Sequence, residues 1–308
     1  MENPAAQTLL QTLPPAERLH ELRRRHPRFV YEKASYERVG DLRGGQREEG
    51  IFVNFHFRLE PDIEFTPRIW IRRLPWKVFE SVPKAQRDNF AFHLGLIEAL
   101  SYWKAACSPE IVVLPEALAD EQIDWWHDLL LHGMGEYFYV NQIDFRPANF
   151  VRIVAPPSRR PTEPAGTPAL QARDLVLVSG GKDSVVTLEL LREAGRPFDC
   201  LLLNPTPAAL AIAKQAGCEK PIIVHRTIDP RLLELNAQGY LNGHTPFSAL
   251  LALLGVAVAA LGGYSRVIVS NERSAEEAGV EYLGHAINHQ YSKTLRFESA
   301  FREYCKKC

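Results

Sequence analysis

The chain has 308 residues, 46% hydrophobic and 24% charged, an ordinary globular balance that allows a sizeable core and suggests two domains. Lys and Arg total 36 against 37 for Asp and Glu, a net charge of −1, which argues against a protein built chiefly to neutralise nucleic-acid phosphates, a local basic patch remaining the alternative. Cys107, Cys200, Cys218, Cys305 and Cys308 are too few and too irregularly spaced for a disulfide framework.

The opening MENPAAQTLLQTLPPAERLHEL interleaves polar residues and lacks a signal-peptide pattern. GIFVNFHFRL at 50–59 and RIWIRR at 68–73 read as strands, with partial alternation and many aromatics. A long helix is predicted from Pro83 to Cys107, a strand over Ile111–Leu114 and a second helix over Asp120–Leu131. An α+β N-terminal domain is therefore expected over 1–154. APPSRRPTEPAGTPALQ, residues 155–171, holds five prolines and no hydrophobic period, and reads as a linker.

Beyond it the pattern alternates. DLVLVSG is a strand, Asp183–Ala194 a helix, FDCLLLN a strand and PAALAIAKQAG a helix ending in glycine. PIIVH is a third strand, Phe247–Leu261 a buried helix and RVIVSNE a fourth strand. Such alternation implies an α/β domain over 172–308, with a parallel sheet and right-handed crossovers. Ligands of such sheets bind beyond the strands' carboxyl ends, near the switch point, which directs attention to 179–184, 204–207 and 270–273. The apolar run at 247–261 is shorter than the roughly 20 residues of a membrane span. A soluble cytoplasmic protein with no membrane partner is expected.

VLVSGGKDSVV at 176–186 is neither Walker A, since Val176 stands where the first glycine belongs and Asp183 follows the lysine, nor G-x-G-x-x-G. A glycine turn opening a helix still makes an anion site through backbone amides and the helix dipole. Ser179 and Ser184 add hydroxyl donors and Lys182 a charge, while Asp183 is suited to hold Mg²⁺ or to cap the helix. The pattern resembles the S-G-G-x-D-S loop of the PP-loop ATP pyrophosphatases, matched by Ser179, Gly180, Gly181, Asp183 and Ser184. That resemblance implies ATP cleavage between the α- and β-phosphates, with AMP transferred to an oxygen acceptor.

Three further stretches follow: NGHTPFSALLALLG from Asn242, SNERSAEEAG from Ser270 and INHQYSK from Ile287. With SGGKDS, in this order over 174–300, they resemble the UDP-N-acetyl-α-D-muramoyl-L-alanyl-L-glutamate epimerase (MurL) family of peptidoglycan precursor synthesis. Members of that family usually continue beyond the point where this chain stops, so a C-terminal portion is expected to be missing. The resemblance implies ATP and Mg²⁺ as cofactors and a UDP-muramoyl dipeptide as substrate. Adenylation of the glutamate would neutralise its carboxylate, so that the α-proton can leave and return on the other face, with a base and an acid near the strand tips.

Thr245 reads as an N-cap and Pro246 as the first helical residue, so the helix dipole should keep His244 neutral and basic; alternatively His244 simply packs against the turn. Glu272 is a candidate partner base or Mg²⁺ ligand, or a solvated charge. His289 is the third catalytic candidate. Asn242, Asn271, Arg273, Asn288, Tyr291 and Lys293 are candidate substrate contacts, and Asn204 is placed to hold adenine or ribose. Arg72, Arg73 and Trp76 are candidates for the uridine diphosphate sugar. Cys305 and Cys308, a C-x-x-C, are half a zinc site and read as structural when alone. They also leave open a PP-loop tRNA-modifying enzyme that adenylates a base.

Overall fold

The computed structural model describes residues 10–39, 49–157 and 170–308. Most of the proline-rich stretch, at 158–169, therefore lies outside the described residues. Helix α1 (Pro15–Arg25) leads into β1 (Arg28–Arg38), which pairs antiparallel with β2 (Gly50–Leu59). The alternation that predicts β2 is realised: Ile51, Val53, Phe55, Phe57 and Leu59 are buried, with half-buried Phe52, Asn54, His56 and Arg58 between them. A short β3 (Ile63–Phe65) and β4 (Arg68–Arg72) follow on β2, with Ile69 and Ile71 turned inward.

After the short helix α2 (Trp76–Ser81) comes α3 (Lys84–Trp103), which ends four residues before the predicted Cys107. Nearly every residue from Ala91 onward is buried, as befits a helix packed on more than one side. Strand β5 (Glu110–Val113), α4 (Asp120–Gly133), α5 (Gly135–Val140) and β6 (Arg152–Val154) complete the first half. The second half runs β7 (Gln171–Leu177), α6 (Lys182–Glu193), β8 (Phe198–Leu203), α7 (Pro207–Gln215) and β9 (Ile222–Thr227). Then come α8 (Pro230–Ala237), α9 (Phe247–Gly262), β10 (Tyr264–Ile268), the hairpin β11 (Val280–Tyr282) and β12 (His285–Ile287), and α10 (Leu295–Lys307). Cys200 and Cys218 form one disulfide within this half.

The α/β class holds, but the parallel sheet is not confined to the second half. One ten-stranded sheet has the order β10-β7-β8-β9-β4-β2-β1-β5-β6, with β3 on β2. Strands β10, β7, β8 and β9 are parallel, and β4 joins β9 antiparallel, from Arg68 opposite Thr227 to Arg72 opposite Ile223. The halves on either side of the proline-rich stretch thus share a sheet. They also share a core, in which α3 and α4 of the first half and α9 of the second cover one face. Helices α6 and α7 cover the other face over β7 and β8, through Leu188, Leu191, Ala209 and Ala213.

Winding runs β7, β8, β9 in one direction, and β10 then falls on the far side of β7. The order reverses between β7 and β10. Their carboxyl ends are where such a sheet opens a ligand crevice. Among the described residues no helix is long and apolar enough to cross a membrane.

Candidate active site

The loop between β7 and α6 sits at that reversal. Gly180 has φ +88°, and a Cβ there would lie 3.0–3.1 Å from Ala209 at the start of α7, so conformation and packing both require glycine. Gly181 differs. It is the N-cap of α6 at φ −87°, and an added Cβ would meet nothing nearer than Ser179 Oγ at 3.9 Å. Neither strain nor a neighbour demands glycine at 181; it leaves the first-turn amides of α6 bare on their open side. Ser184 is buried, and its Oγ accepts the Ser179 N–H at 3.1 Å. It closes the loop from below, whereas Ser179 is exposed. The hydroxyl expected from Ser184 faces inward because α6 turns it under the loop.

The tip of β10 supplies the opposite wall. Thr187 Oγ1 of α6 lies 2.8 Å from Ser270 Oγ. Lys182 Nζ is 3.1 Å from Asp183 Oδ1 and 3.0 Å from Glu272 Oε2, and these carboxylates, Glu272 foremost, raise its pKa. The SGGKDS and SNER stretches therefore meet through one ammonium. Asn271 and Arg273 are exposed beside them, Arg273 opening a short 3₁₀ turn to Glu276. Among the described residues no three His, Cys, Asp or Glu side chains cluster to hold a metal. Mg²⁺, however, is commonly held by one or two carboxylates with phosphate oxygens, and Asp183 with Glu272 fits that donor set.

Asn204 takes φ +44° at the tip of β8, and its amide is engaged at both ends. Nδ2 donates to the Arg226 carbonyl at 3.0 Å, and Oδ1 accepts the Arg226 N–H at 3.0 Å. It clamps β8 to β9 at the crevice edge. Arg226 in turn donates to buried Glu98 of α3 at 2.7 Å. The burial of Glu98 raises its carboxyl pKa against the pull of that guanidinium.

Helix α9 runs from the carboxyl edge back to the start of β10, so its N-terminus shares the loop's edge. Its start is one residue later than expected. Pro246, not Thr245, is the N-cap, with no side-chain cap. At φ −70° and ψ 67° it centres an inverse γ-turn, closed by Phe247 N–H to the Thr245 carbonyl at 2.6 Å. The pKa of half-buried His244 is lowered, as expected, but burial is the main cause, opposed by Glu136 and aided by His289 and Lys104. The His244 and His289 rings stand edge to face, centroids 6.3 Å apart. Lys104, the C-cap of α3, donates to the Gly243 carbonyl at 2.9 Å. Burial, then Arg226, brings its pKa down to about 8. Lys104 and Glu136 escape a reading of the sequence because the first half brings them in by tertiary packing; the only local trace is a lysine where a helix stops.

The INHQYSK stretch divides its labour. Asn288 donates to the Ala275 carbonyl at 2.7 Å and accepts the Gln290 N–H, while Lys293 reaches Gln290 Oε1 at 3.1 Å. Tyr291 is buried and donates to Asp128 Oδ2 at 2.7 Å. These three fix the turn and leave His289 exposed. Asn242 accepts the Gly243 N–H on Oδ1 and the Asn141 amide on its carbonyl, each at 2.9 Å, which shapes the approach to His244. Arg72 pairs with His225 and Arg73 with the Pro221 carbonyl. Register puts Arg72 opposite Ile223, at the amino end of β9. Ile223 is itself opposite Leu202 of β8, so Arg72 stands level with the carboxyl end of β8, three strands from the loop. Cys305 and Cys308 are free thiols; burial lifts Cys305 to about 12, and Cys308 Sγ accepts from Gln122.

Asp128 and His132 of α4 clasp this turn, with Asp128 Oδ1 3.1 Å from His132 Nδ1 and the Tyr291 ring stacked on the imidazole. His132, bonded to Asp128, has a raised pKa; Asp128, held chiefly by His132 and then Tyr291, falls to about 2. The histidine's contribution is complete below its unfolded value of about 6.5 and is lost as pH rises through its folded value. That of the aspartate is complete above about 4 and is lost as pH falls towards 2. The melting temperature of His132→Gln should therefore lie furthest below that of the parent near pH 5 and approach it by about pH 9. A difference independent of pH would remove the clasp.

The family model described as the MurL N-terminal domain matches residues 32–308. A relative from Micromonospora sp. is 37% identical over 216 residues, covering 68% of this chain and 46% of its own. One from Salinispora tropica is 37% identical over 210 residues (68% and 45%), and one from Xanthomonas oryzae pv. oryzae 34% over 215 (70% and 46%). Each is named UDP-N-acetyl-alpha-D-muramoyl-L-alanyl-L-glutamate epimerase. The chain spans about half the length of the curated relatives it matches. No solved structure matches it.

Proposed function

This chain belongs to the MurL N-terminal domain family, and on that premise we propose that it serves ATP-dependent epimerisation of the terminal L-Glu of UDP-MurNAc-L-Ala-L-Glu to D-Glu. The observation that carries the proposal is the meeting of SGGKDS, Glu272 and the His244–His289 pair at one sheet edge. ATP phosphates would lie on the bare first turn of α6, with Lys182 alongside. A glutamate carboxylate oxygen attacks the α-phosphorus, the bond to the bridging oxygen breaks, and pyrophosphate leaves. Mg²⁺ held by Asp183 and Glu272 would neutralise charge on that leaving group.

In the resulting acyl-adenylate the carboxyl group no longer carries a charge, so its carbonyl can accept the electron pair left when the α-proton departs. His244, kept neutral by burial, takes that proton. An acid on the other face returns one; His289 and Lys104 are the nearest candidates. Water then cleaves the mixed anhydride to carboxylate and AMP. Chromatography of the nucleotide products tests the reading: the UDP-muramoyl dipeptide should elicit AMP and pyrophosphate. ADP with inorganic phosphate, or turnover elicited by tRNA instead, would overturn it.

A further inference from the structure

The helices α6 and α7 that cover one sheet face over β7 and β8 do not extend over the antiparallel part. On that face lies a hollow of about 530 Å³ lined by Lys33, Ser35, Asn54, His56, Thr66 and Arg68. Ser35 pairs with Asn54, Asn54 with Arg68, and Arg68 with Thr227, the last residue of β9. This polar row therefore opens at the same edge as the phosphate loop. Lys33 and Arg68 are both exposed, and neither has an anionic partner among the described residues; Arg68 rests on the Phe52 ring at 4.7 Å. The nearby carboxylates are engaged by other groups: Glu32 and Glu64 hold His56, Glu32 also holds Arg58, Glu37 accepts from Asn54 and Asp229 from the Thr66 N–H. What faces the hollow is thus two cations without an ion pair, among polar groups that already hold Glu37, Glu64 and Asp229.

We propose that this hollow anchors the nucleoside diphosphate end of the substrate, with the diphosphate between Lys33 and Arg68. The assignment rests on the epimerase reading for its ligand and on the fold for its distance. From β7 to β2 is four strand spacings, about 19 Å at ~4.8 Å each. An extended dipeptide covers about 7 Å of this, and the lactyl ether and the hexose fill the remainder. With glutamate at the loop, an extended substrate brings its diphosphate to this row. Arg72, on the same face, is already hydrogen-bonded to His225.

The test is UDP binding by calorimetry to the whole chain. Lys33→Ala and Arg68→Ala each remove a charge-assisted phosphate contact and should weaken UDP on the order of tenfold, and the double variant on the order of a hundredfold. Both side chains are exposed, so melting temperatures and ATP affinity should not move. Arg72→Ala should bind UDP like the parent. UDP affinity unchanged in the double variant, lost instead in Lys182→Ala, or weakened equally by Arg72→Ala would each overturn the proposal, as would a parent chain that binds no UDP. The epimerase reading stands or falls separately, on whether the UDP-muramoyl dipeptide elicits AMP.

Discussion

His244→Gln should lose roughly 10²–10⁴-fold in exchange of the substrate's α-proton, the usual contribution of a general base, while adenylation is largely retained. The imidazole lies at the start of α9, half-buried, with its pKa lowered chiefly by that burial. It can therefore accept a proton at neutral pH, whereas the amide of glutamine cannot. The phosphate loop belongs to a different helix, so its grip on ATP is not touched by the change. Two assays on one variant separate the steps: exchange of labelled pyrophosphate into ATP, and uptake of deuterium at the glutamate α-carbon from heavy water. Deuterium uptake at the parent rate would reduce His244 to a packing residue and pass the role to His289 or Glu272. Loss of both signals would move it to the nucleotide site.

Lys182→Ala should weaken ATP roughly ten- to hundredfold, as expected when one charge-assisted phosphate contact is removed. The local electrostatics push towards the upper end of that range. One ammonium lies between Asp183 and Glu272, so its removal deletes the cation shared by the two carboxylates proposed to hold Mg²⁺. Its side chain is 72% exposed, and the fold should not register the change. Competition binding with a fluorescent ATP analogue, beside a thermal melt, distinguishes the outcomes. Unchanged affinity would mean that the phosphates lie elsewhere.

The loop was legible because strand, glycine pair and helix follow one another within a dozen residues, and local sequence dictates local shape there. So was β2, whose buried and half-buried residues alternate as its apolar and polar ones do. The helix start at α9 was legible only to within one residue, since Thr-Pro reads as N-cap and first turn unless Pro246 closes a γ-turn ahead of the helix. Helix α10 carries its own local signal: Thr294 caps it, and Phe297, Phe301 and Tyr304 repeat at helical spacing. No local pattern could announce the pairing of β4 with β9, or the approach of Lys104 and Glu136 to His244. Those contacts join segments far apart in sequence, and the residues concerned look like surface charges until the chain folds.

The antiparallel joint between β4 and β9 makes the two segments hostages to one another during biosynthesis. Until the later segment emerges, the earlier one holds β4 as an unpaired border, with Ile69 and Ile71 on one side of it. A chain severed in the proline-rich stretch would expose main-chain donors and acceptors on both borders, a template for indiscriminate strand addition. Each severed piece should clump when made alone. Made together, the pieces offer each other the cognate border and can reassemble as a nicked protein.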